Sequence, residues 1–352
     1  MIQFVLKRVL QSVFVLFGVV TIVFVLFFVM LPADTARLTV GQRTDAKTID
    51  NIRKELYLDQ PIWRQYFLYL NDLSPLSIHK NNKEEHEKYH YREIFTFSSN
   101  DVLVVKSPYL RRSYQTKKEV NAMLMDAFPG TFILATLSII IASLIGMFLG
   151  IIAALNQNTF LDTGSVFASV IGISAPSFFA GIVIAYIFGF LLSDYTGLSI
   201  VSPMWDYDPY TGKHFMLKSL ILPVITLSIR PMAIITQITR SSMLDVMNQD
   251  YIRTAYAKGL NKTKVIAKHA LRNALNPVVT SISGWFAELL AGSFFIEYIF
   301  GWKGIGKITV DALNKFDFPV VAGAVLMTAL IFIVINIFVD IIYTLIDPRV
   351  KI

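Results

Sequence analysis

Long uncharged apolar runs set the pattern of this chain. They occupy Val9–Ala33, Ala127–Leu161, Thr163–Ser193 and Phe318–Val339, with two more at Ser219–Thr239 and Asn276–Ile296 that carry a single charge each, Arg230 and Glu288. A helix rises ~1.5 Å per residue, so about 20 apolar residues cross a ~30 Å hydrocarbon core. The pattern therefore predicts an all-α membrane protein with six transmembrane helices. The first ends near residue 31, and the others lie at 131–155, 165–191, 219–239, 277–297 and 320–346. The first run is 25 residues long, beyond the apolar segment of a secretory signal, and no small-x-small site closes it, so it reads as a retained span.

The flanking charges orient these spans. Lys7 and Arg8 place the N-terminus in the cytosol, and six spans return the C-terminal tail 347–352, with Arg349 and Lys351, to the same side. The loop 241–276 is then cytosolic. It carries Arg253, Lys258, Lys262, Lys264, Lys268 and Arg272 against Asp245 and Asp250, the strongest orientation signal in the chain. Residues 32–126 form an extracytoplasmic domain between the first two helices. Within it, Asp45–Leu56 and Ile62–Leu70 read as helices, the second opened by Pro61, and Val102–Val105 as a short strand. Lys80–Lys88 reads as a charged, solvated loop.

Composition changes this picture little. The chain is 54% hydrophobic with a mean hydropathy of +0.55, and a formal charge of +7. The basic residues sit between apolar spans rather than along an aromatic-interleaved groove, which argues against nucleic acid. There is no cysteine, so disulfides, thiolate nucleophiles and Cys-ligated metals are excluded.

Two patterns resemble enzyme motifs. His86-Glu87-Lys88-Tyr89-His90 is a formal H-E-x-x-H, which on a helix sets two imidazoles on one face with a carboxylate as general base. The flanking residues are polar on every face and no third ligand is near, so a charged surface segment is favoured over a membrane zinc protease. Gly301-Trp302-Lys303-Gly304-Ile305-Gly306-Lys307-Ile308 fits a phosphate-binding glycine loop, but Ile308 stands where a magnesium-holding Ser or Thr is required. A glycine-rich turn between the fifth and sixth spans is the better reading.

The basic inner loop is more informative. Met243–Gly259 is helix-compatible with Gly259 as its stop, Lys262–Leu275 forms a second helical stretch, and Pro277 opens the fifth span. Pattern alone leaves open whether this loop only sets orientation or docks a cytosolic partner. The segments Asp250-Tyr251-Ile252-Arg253-Thr254-Ala255-Tyr256-Ala257-Lys258-Gly259-Leu260 and His269-Ala270-Leu271-Arg272-Asn273-Ala274-Leu275-Asn276-Pro277 closely resemble the inner loop of dipeptide/oligopeptide ABC-importer permeases, the B-type subunit. Ala255 and Gly259 match that family's E-A-A-x-x-x-G signature, while Arg253 and Thr254 stand at its Glu and Ala positions. The likeness extends to Phe4–Arg8, Leu56–Pro61, Phe294–Gly306 and Asp347–Val350, and fails over residues 80–118, an outer insertion.

The resemblance implies a type I importer permease in a bacterial inner membrane, with both termini cytosolic. It implies pairing with a second similar permease, two cytosolic ATPase subunits, and an extracytoplasmic binding protein that delivers the peptide. ATP hydrolysis then falls on the ATPases, so this chain needs neither catalytic residues nor a cofactor. Asp250, Tyr251, Ile252, Arg253, Thr254, Ala255, Lys258 and Gly259 are the expected ATPase-coupling residues. Nickel chelates or another small solute are the alternative cargo, and the inner-loop signature argues against an ATP-independent carrier. Arg230 and Glu288 each lie 11 residues into their spans, which brings both to the membrane midplane. A charge there faces protein or water, either as a structural ion pair or in the substrate path, with Arg230 toward a peptide carboxylate and Glu288 toward an amine.

Overall fold

The computed structural model describes residues 2–30, 57–96, 101–201, 204–208 and 212–346. The predicted helix Asp45–Leu56 and the tail 347–352 lie outside these. Helix α1 (Ile2–Phe24) runs on into a π-helical turn, Val25–Met30. After α2 (Ile62–Leu73) come β1 (Leu76–Lys80), α3 (Lys83–Tyr89), β2 (Arg92–Thr96) and β3 (Asp101–Val105). Then follow α4 (Val120–Leu155), α5 (Phe160–Ser174), α6 (Ser177–Tyr186, continued by a π turn at Ile187–Leu191), α7 (Ser193–Thr196) and the hairpin β4 (Trp205–Asp208) and β5 (Gly212–Phe215). Helices α8 (Lys218–Met247), α9 (Asp250–Ala257), α10 (Lys262–Lys264), α11 (Leu271–Gly292), α12 (Phe294–Ile299), α13 (Ile305–Asn314) and α14 (Phe318–Ile346) complete the chain.

Among the described residues four helices, α1, α4, α8 and α14, are each long and apolar enough to cross a membrane, and the bent pair α5 with α6 passes the same test when taken as one span. This differs from six uniform spans in two places. The predicted span 165–191 is broken by a bend of 102° between Ser174 and Ser177. Ala175 precedes proline and is pushed to an extended conformation (ψ 126°), ending α5, and Pro176 opens α6. The predicted fifth span is α11, which falls short in apolarity. Pro277 sits inside that helix rather than opening it, and the helical run from Lys262 passes through a π turn (Val265–Ala270) straight into it. The all-α expectation is also corrected, since two small antiparallel sheets lie outside the helices.

One compact unit comprises residues 1–9, 128–307 and 331–352. Its centre is α8, which packs against α5 and α11. Leu134 of α4, Ile235 of α8, Leu290 of α11, Ile296 and Trp302 are among its large, fully buried apolar side chains. Thr226 and Ser228 are buried in α8 because each returns its hydroxyl to the carbonyl four residues back, at 2.8 and 2.6 Å, so no donor is stranded in the apolar core.

The other unit comprises residues 10–127 and 308–330. Its sheet has the order β1-β3-β2, with Leu76 opposite Val105 and Lys80 opposite Asp101. Alternation along β3 turns Val102 and Val104 inward onto Tyr89, Tyr91 and Tyr109. The strand expected at Val102–Val105 is thus present. The expected loop Lys80–Lys88 is instead the end of β1 followed by α3, whose first turn is capped by Asn82 accepting from the Glu85 N–H at 2.8 Å. Tyr89 gives that helix the packed face that a solvated loop lacks. Asp317, at the start of α14, accepts from the Ser113 hydroxyl (2.5 Å) and the Tyr114 N–H (2.9 Å).

Candidate functional site

The expected coupling residues fall on α9 and the turn after it. The predicted helix Met243–Gly259 is in fact two. Helix α8 ends at Met247, and Gln249 is extended (ψ 148°), so that α9 starts afresh with Asp250 in its first turn, where a carboxylate suits the N-terminal dipole. Ile252 and Ala255, three residues apart, point inward onto Met243, Val265, Ala270 and Ala274. Asp250, Tyr251, Arg253, Thr254, Lys258 and Gly259 are exposed. Burying Ile252 and Ala255 is what holds this short helix in place, since eight residues are too few for a helix stable by propensity alone.

A side chain-to-side chain bond supports the same placement, from the Asn273 amide to the Tyr251 hydroxyl at 2.9 Å. The Arg253–Asp250 pair, 3.7 Å apart and almost fully exposed, adds little. Gly259 has φ +79° and its amide closes the turn on the Tyr256 carbonyl at 2.9 Å. A Cβ there meets nothing within 4 Å. The requirement for glycine is therefore the left-handed backbone and not crowding within the chain.

Arg230 and Glu288 are brought together at a cleft of about 540 Å³ on the first unit, which Trp285, Ser177 and Thr226 also line. They form no ion pair with each other among the described residues. The Arg230 guanidinium instead lies 5.6 Å from the centre of the Trp285 ring, within cation–π range. Both side chains are exposed within this one chain.

The H-E-x-x-H pattern lies on α3, with His90 ending the helix in a left-handed conformation (φ +47°). His86 packs against the Tyr91 ring (4.8 Å), and His90 Nε2 is 3.9 Å from Glu119. Among the described residues no three His, Asp or Glu side chains gather where one metal ion would bind.

Sequence reasoning missed two buried carboxylates. Asp162, at the start of α5, is gripped by the Arg240 guanidinium, with Nη2 at 2.8 Å, and also accepts from the Asn158 N–H at 2.9 Å. Glu297 is wholly buried. It accepts from the hydroxyls of Thr131 (2.7 Å) and Ser293 (2.6 Å) and from the Lys307 N–H (3.1 Å). The glycine loop Gly301–Ile308 thus wraps an acceptor group, but that group is the chain's own Glu297 carboxyl. A Cβ on Gly304 falls 2.2 Å from Glu297 Oε2, which leaves glycine as the residue that fits. The Trp302 indole donates to the Gly130 carbonyl at 2.9 Å and pins the same loop to α4.

Apolar spans, a cleft with polar side chains and an amphipathic helix anchored by one face belong to a multi-pass membrane protein. Comparison with known proteins supplies the family. Residues 146–352 match the "Binding-protein-dependent transport system inner membrane component" family, and residues 1–135 match the N-terminal region of such membrane components. The chain is 34% identical to a dipeptide transport system permease protein DppB of Alkalihalophilus pseudofirmus, over all of both chains. It is 35% identical to DppB of Bacillus subtilis, over all of this chain and 98% of that one. It is 33% identical to the glutathione transport system permease protein GsiC of Escherichia coli K12, over all of this chain and 99% of that one. The chain belongs to the binding-protein-dependent transport system inner membrane component family and is a permease subunit of an ABC importer, with no ATPase function of its own.

Proposed function

We propose that this permease forms half of an ATP-driven path for dipeptides and short oligopeptides, with α9 as the element that receives the stroke of a cytosolic ATPase. The observation that carries the reading is the division of α9. Ile252 and Ala255 fix it to α8 and to the helical run that becomes α11, while Tyr251, Arg253, Thr254 and Lys258 are left for a partner. A push on α9 is thereby delivered to two spans at once. The open space around Gly259 is where the ATPase surface approaches.

In this reading α1, α4, the bent pair α5–α6, α8, α11 and α14 are six spans. The lower apolarity of α11, with Arg272, Asn273, Asn276 and Glu288 along it, suits a helix that lines a wet path rather than facing lipid. Both termini and α9 lie in the cytosol, and residues 32–126 lie on the other side, where a binding protein delivers cargo. A second permease of similar fold completes the path and a second ATPase the motor. The cleft with Arg230 and Glu288 is the substrate-facing site. Stacking on Trp285 leaves the Arg230 charge available to a peptide carboxylate, and the distance from Glu288 leaves that carboxylate available to an amine. The names of the relatives, dipeptide and glutathione permeases, point to peptide cargo.

The test is uptake into proteoliposomes that contain this chain, its partner permease and both ATPases, with the binding protein added. ATP-dependent accumulation of a labelled dipeptide is expected. Accumulation of a nickel chelate but not of peptide removes the cargo assignment, and uptake that proceeds without ATP removes the coupling.

A further inference from the structure

The second unit contains a cleft that the transport reading does not use. Its volume is about 580 Å³, and it lies where the π turn of α1 meets the first turns of α14. Phe28, Leu110, Ala322 and Leu326 make its walls apolar, and Tyr69 and Arg111 supply its polar atoms. Arg111 is 94% buried (6% exposed), and none of its three side-chain nitrogens has a hydrogen-bond partner. The guanidinium is held by rings instead, 4.9 Å from the centre of Phe28, 5.5 Å from Tyr57 and 5.8 Å from Tyr69. The Tyr69 hydroxyl is buried and unpartnered too. Among the described residues the one carboxylate facing the guanidinium is Asp72, whose Oδ2 stands 3.7 Å from Nη2, beyond hydrogen-bond length, so the donors of Arg111 and Tyr69 are left without a hydrogen bond.

Local charge points to what would meet these donors. Asp72 is an ion-pair partner of Arg111 through Oδ2, which makes no hydrogen bond, while its Oδ1 accepts from Tyr89 (2.7 Å) and Tyr57 (3.3 Å). Lys106 is buried beside it and donates to the Asp72 backbone carbonyl. Arg111, Lys106 and Lys88, whose ammonium lies over the Tyr57, Tyr89 and Tyr109 rings, thus set a local excess of positive charge against Asp72. Burial lowers the Lys106 ammonium to about 8, which leaves it charged at neutral pH, and pushes the Tyr69 hydroxyl up, so that it stays a donor.

The occupant has to be acceptor-rich, carry negative charge and present an apolar chain to two helices that are themselves apolar enough to span a bilayer. We propose that the cleft holds an anionic phospholipid, with its phosphodiester on Arg111 and the Tyr69 hydroxyl and one acyl chain along Phe28, Ala322 and Leu326. Leu326 is eight residues along α14 from Phe318, so the cleft follows roughly 12 Å of helix, about half of a lipid chain. The site ties α1 and α14 to the lipid of the leaflet on that side.

The experiment is native mass spectrometry of the full chain, released from micelles doped with equal amounts of phosphatidylglycerol and phosphatidylcholine. Wild type is expected to keep one phosphatidylglycerol at least tenfold over phosphatidylcholine. Arg111→Gln is expected to level that preference, Arg111→Lys to keep most of it, and Ala322→Phe, which fills the apolar wall, to lower retention of both lipids. Equal retention by wild type overturns the proposal, as does an unchanged preference in Arg111→Gln. Should Arg111→Gln fail to fold, the wild-type preference and Ala322→Phe decide, and full phosphatidylglycerol retention by Ala322→Phe rejects the site. Displacement of phosphatidylglycerol by an equal concentration of laurate also rejects it, in favour of a carboxylate amphiphile.

Discussion

Removing the carboxylate of Glu297 should do more damage than any surface change in the chain. Glu297→Ala leaves the Lys307 N–H and the hydroxyls of Thr131 and Ser293 without their acceptor, in a place closed to water. Ser293 and Thr131 can turn their hydroxyls toward backbone carbonyls, but the Lys307 amide cannot turn. Counting that amide and one hydroxyl as stranded, at about 1–3 kcal/mol each, and adding about 1 kcal/mol for the void, the loss is roughly 3–7 kcal/mol. Glu297→Gln keeps the volume and one acceptor oxygen but sets an amide N–H₂ against the Lys307 N–H, for roughly 2 kcal/mol. At about 2–4 °C per kcal/mol, the Ala variant should melt roughly 6 °C or more below wild type in mild detergent, with Gln between them. A Thr131→Val change made in the Glu297→Ala background should cost less than it does in wild type, because the two groups share one bond. The assay is thermal unfolding of the purified chain, followed by its monodisperse fraction. An Ala variant that melts with wild type, or a Gln variant worse than Ala, refutes the reasoning.

Other consequences follow from the same structure. Gly259→Ala should cost about 1 kcal/mol of local stability through its positive φ alone and leave uptake largely intact, whereas Gly259→Asp, which also fills the open approach, should leave membrane insertion normal and abolish ATP-coupled uptake in the transport assay. Arg230→Gln and Glu288→Gln should each lower peptide uptake at least tenfold with unchanged melting, since among the described residues neither charge is in an ion pair whose loss strands the other; full uptake by both removes them from the substrate path. Lys106 titrates near 8 in the folded chain against an ordinary 10.5, so its folded state resists the charge. That cost is complete below pH 8 and fades as pH rises toward 10.5. Protection of residues 62–105 against hydrogen exchange should therefore strengthen across that window, by up to roughly 3 kcal/mol, and the slope should vanish in Lys106→Met.

What the sequence revealed and concealed divides along physical lines. Runs of uncharged apolar residues are a one-dimensional signal, and they located α1, α4, α8 and α14 to within a few residues of their cores. Ile62–Leu73 and Asp101–Val105 were legible for similar reasons, a proline at the helix start and a β-branched run in the strand. The bend at Ala175 was hidden because the apolar run continues through it and only Pro176 marks the site. The start of α9 was hidden because Asn248 and Gln249 do not forbid a helix; the break reflects the packing of Ile252 and Ala255. The burial of Glu297 was beyond reach, since its acceptor geometry is completed by Thr131, 166 residues away. The glycine loop gave the only hint, and it fitted a phosphate as well as a carboxylate. At the cleft beside Trp285, depth counting placed Arg230 and Glu288 on one level, while the stacking of Arg230 on Trp285 rather than pairing with Glu288 needed the structure.

The central claim is that α9 is the surface that meets the ATPase. The chain has no cysteine, so a single introduced thiol reports one position without background. The most direct measurement is therefore crosslinking of Tyr251→Cys and Arg253→Cys in membranes that contain the assembled complex, with Glu84→Cys on α3 as the comparison. The account predicts adducts between the ATPase subunit and positions 251 and 253, strengthened by trapping ATP and absent from position 84. An ATPase adduct at position 84, with none at 251 or 253, would contradict it.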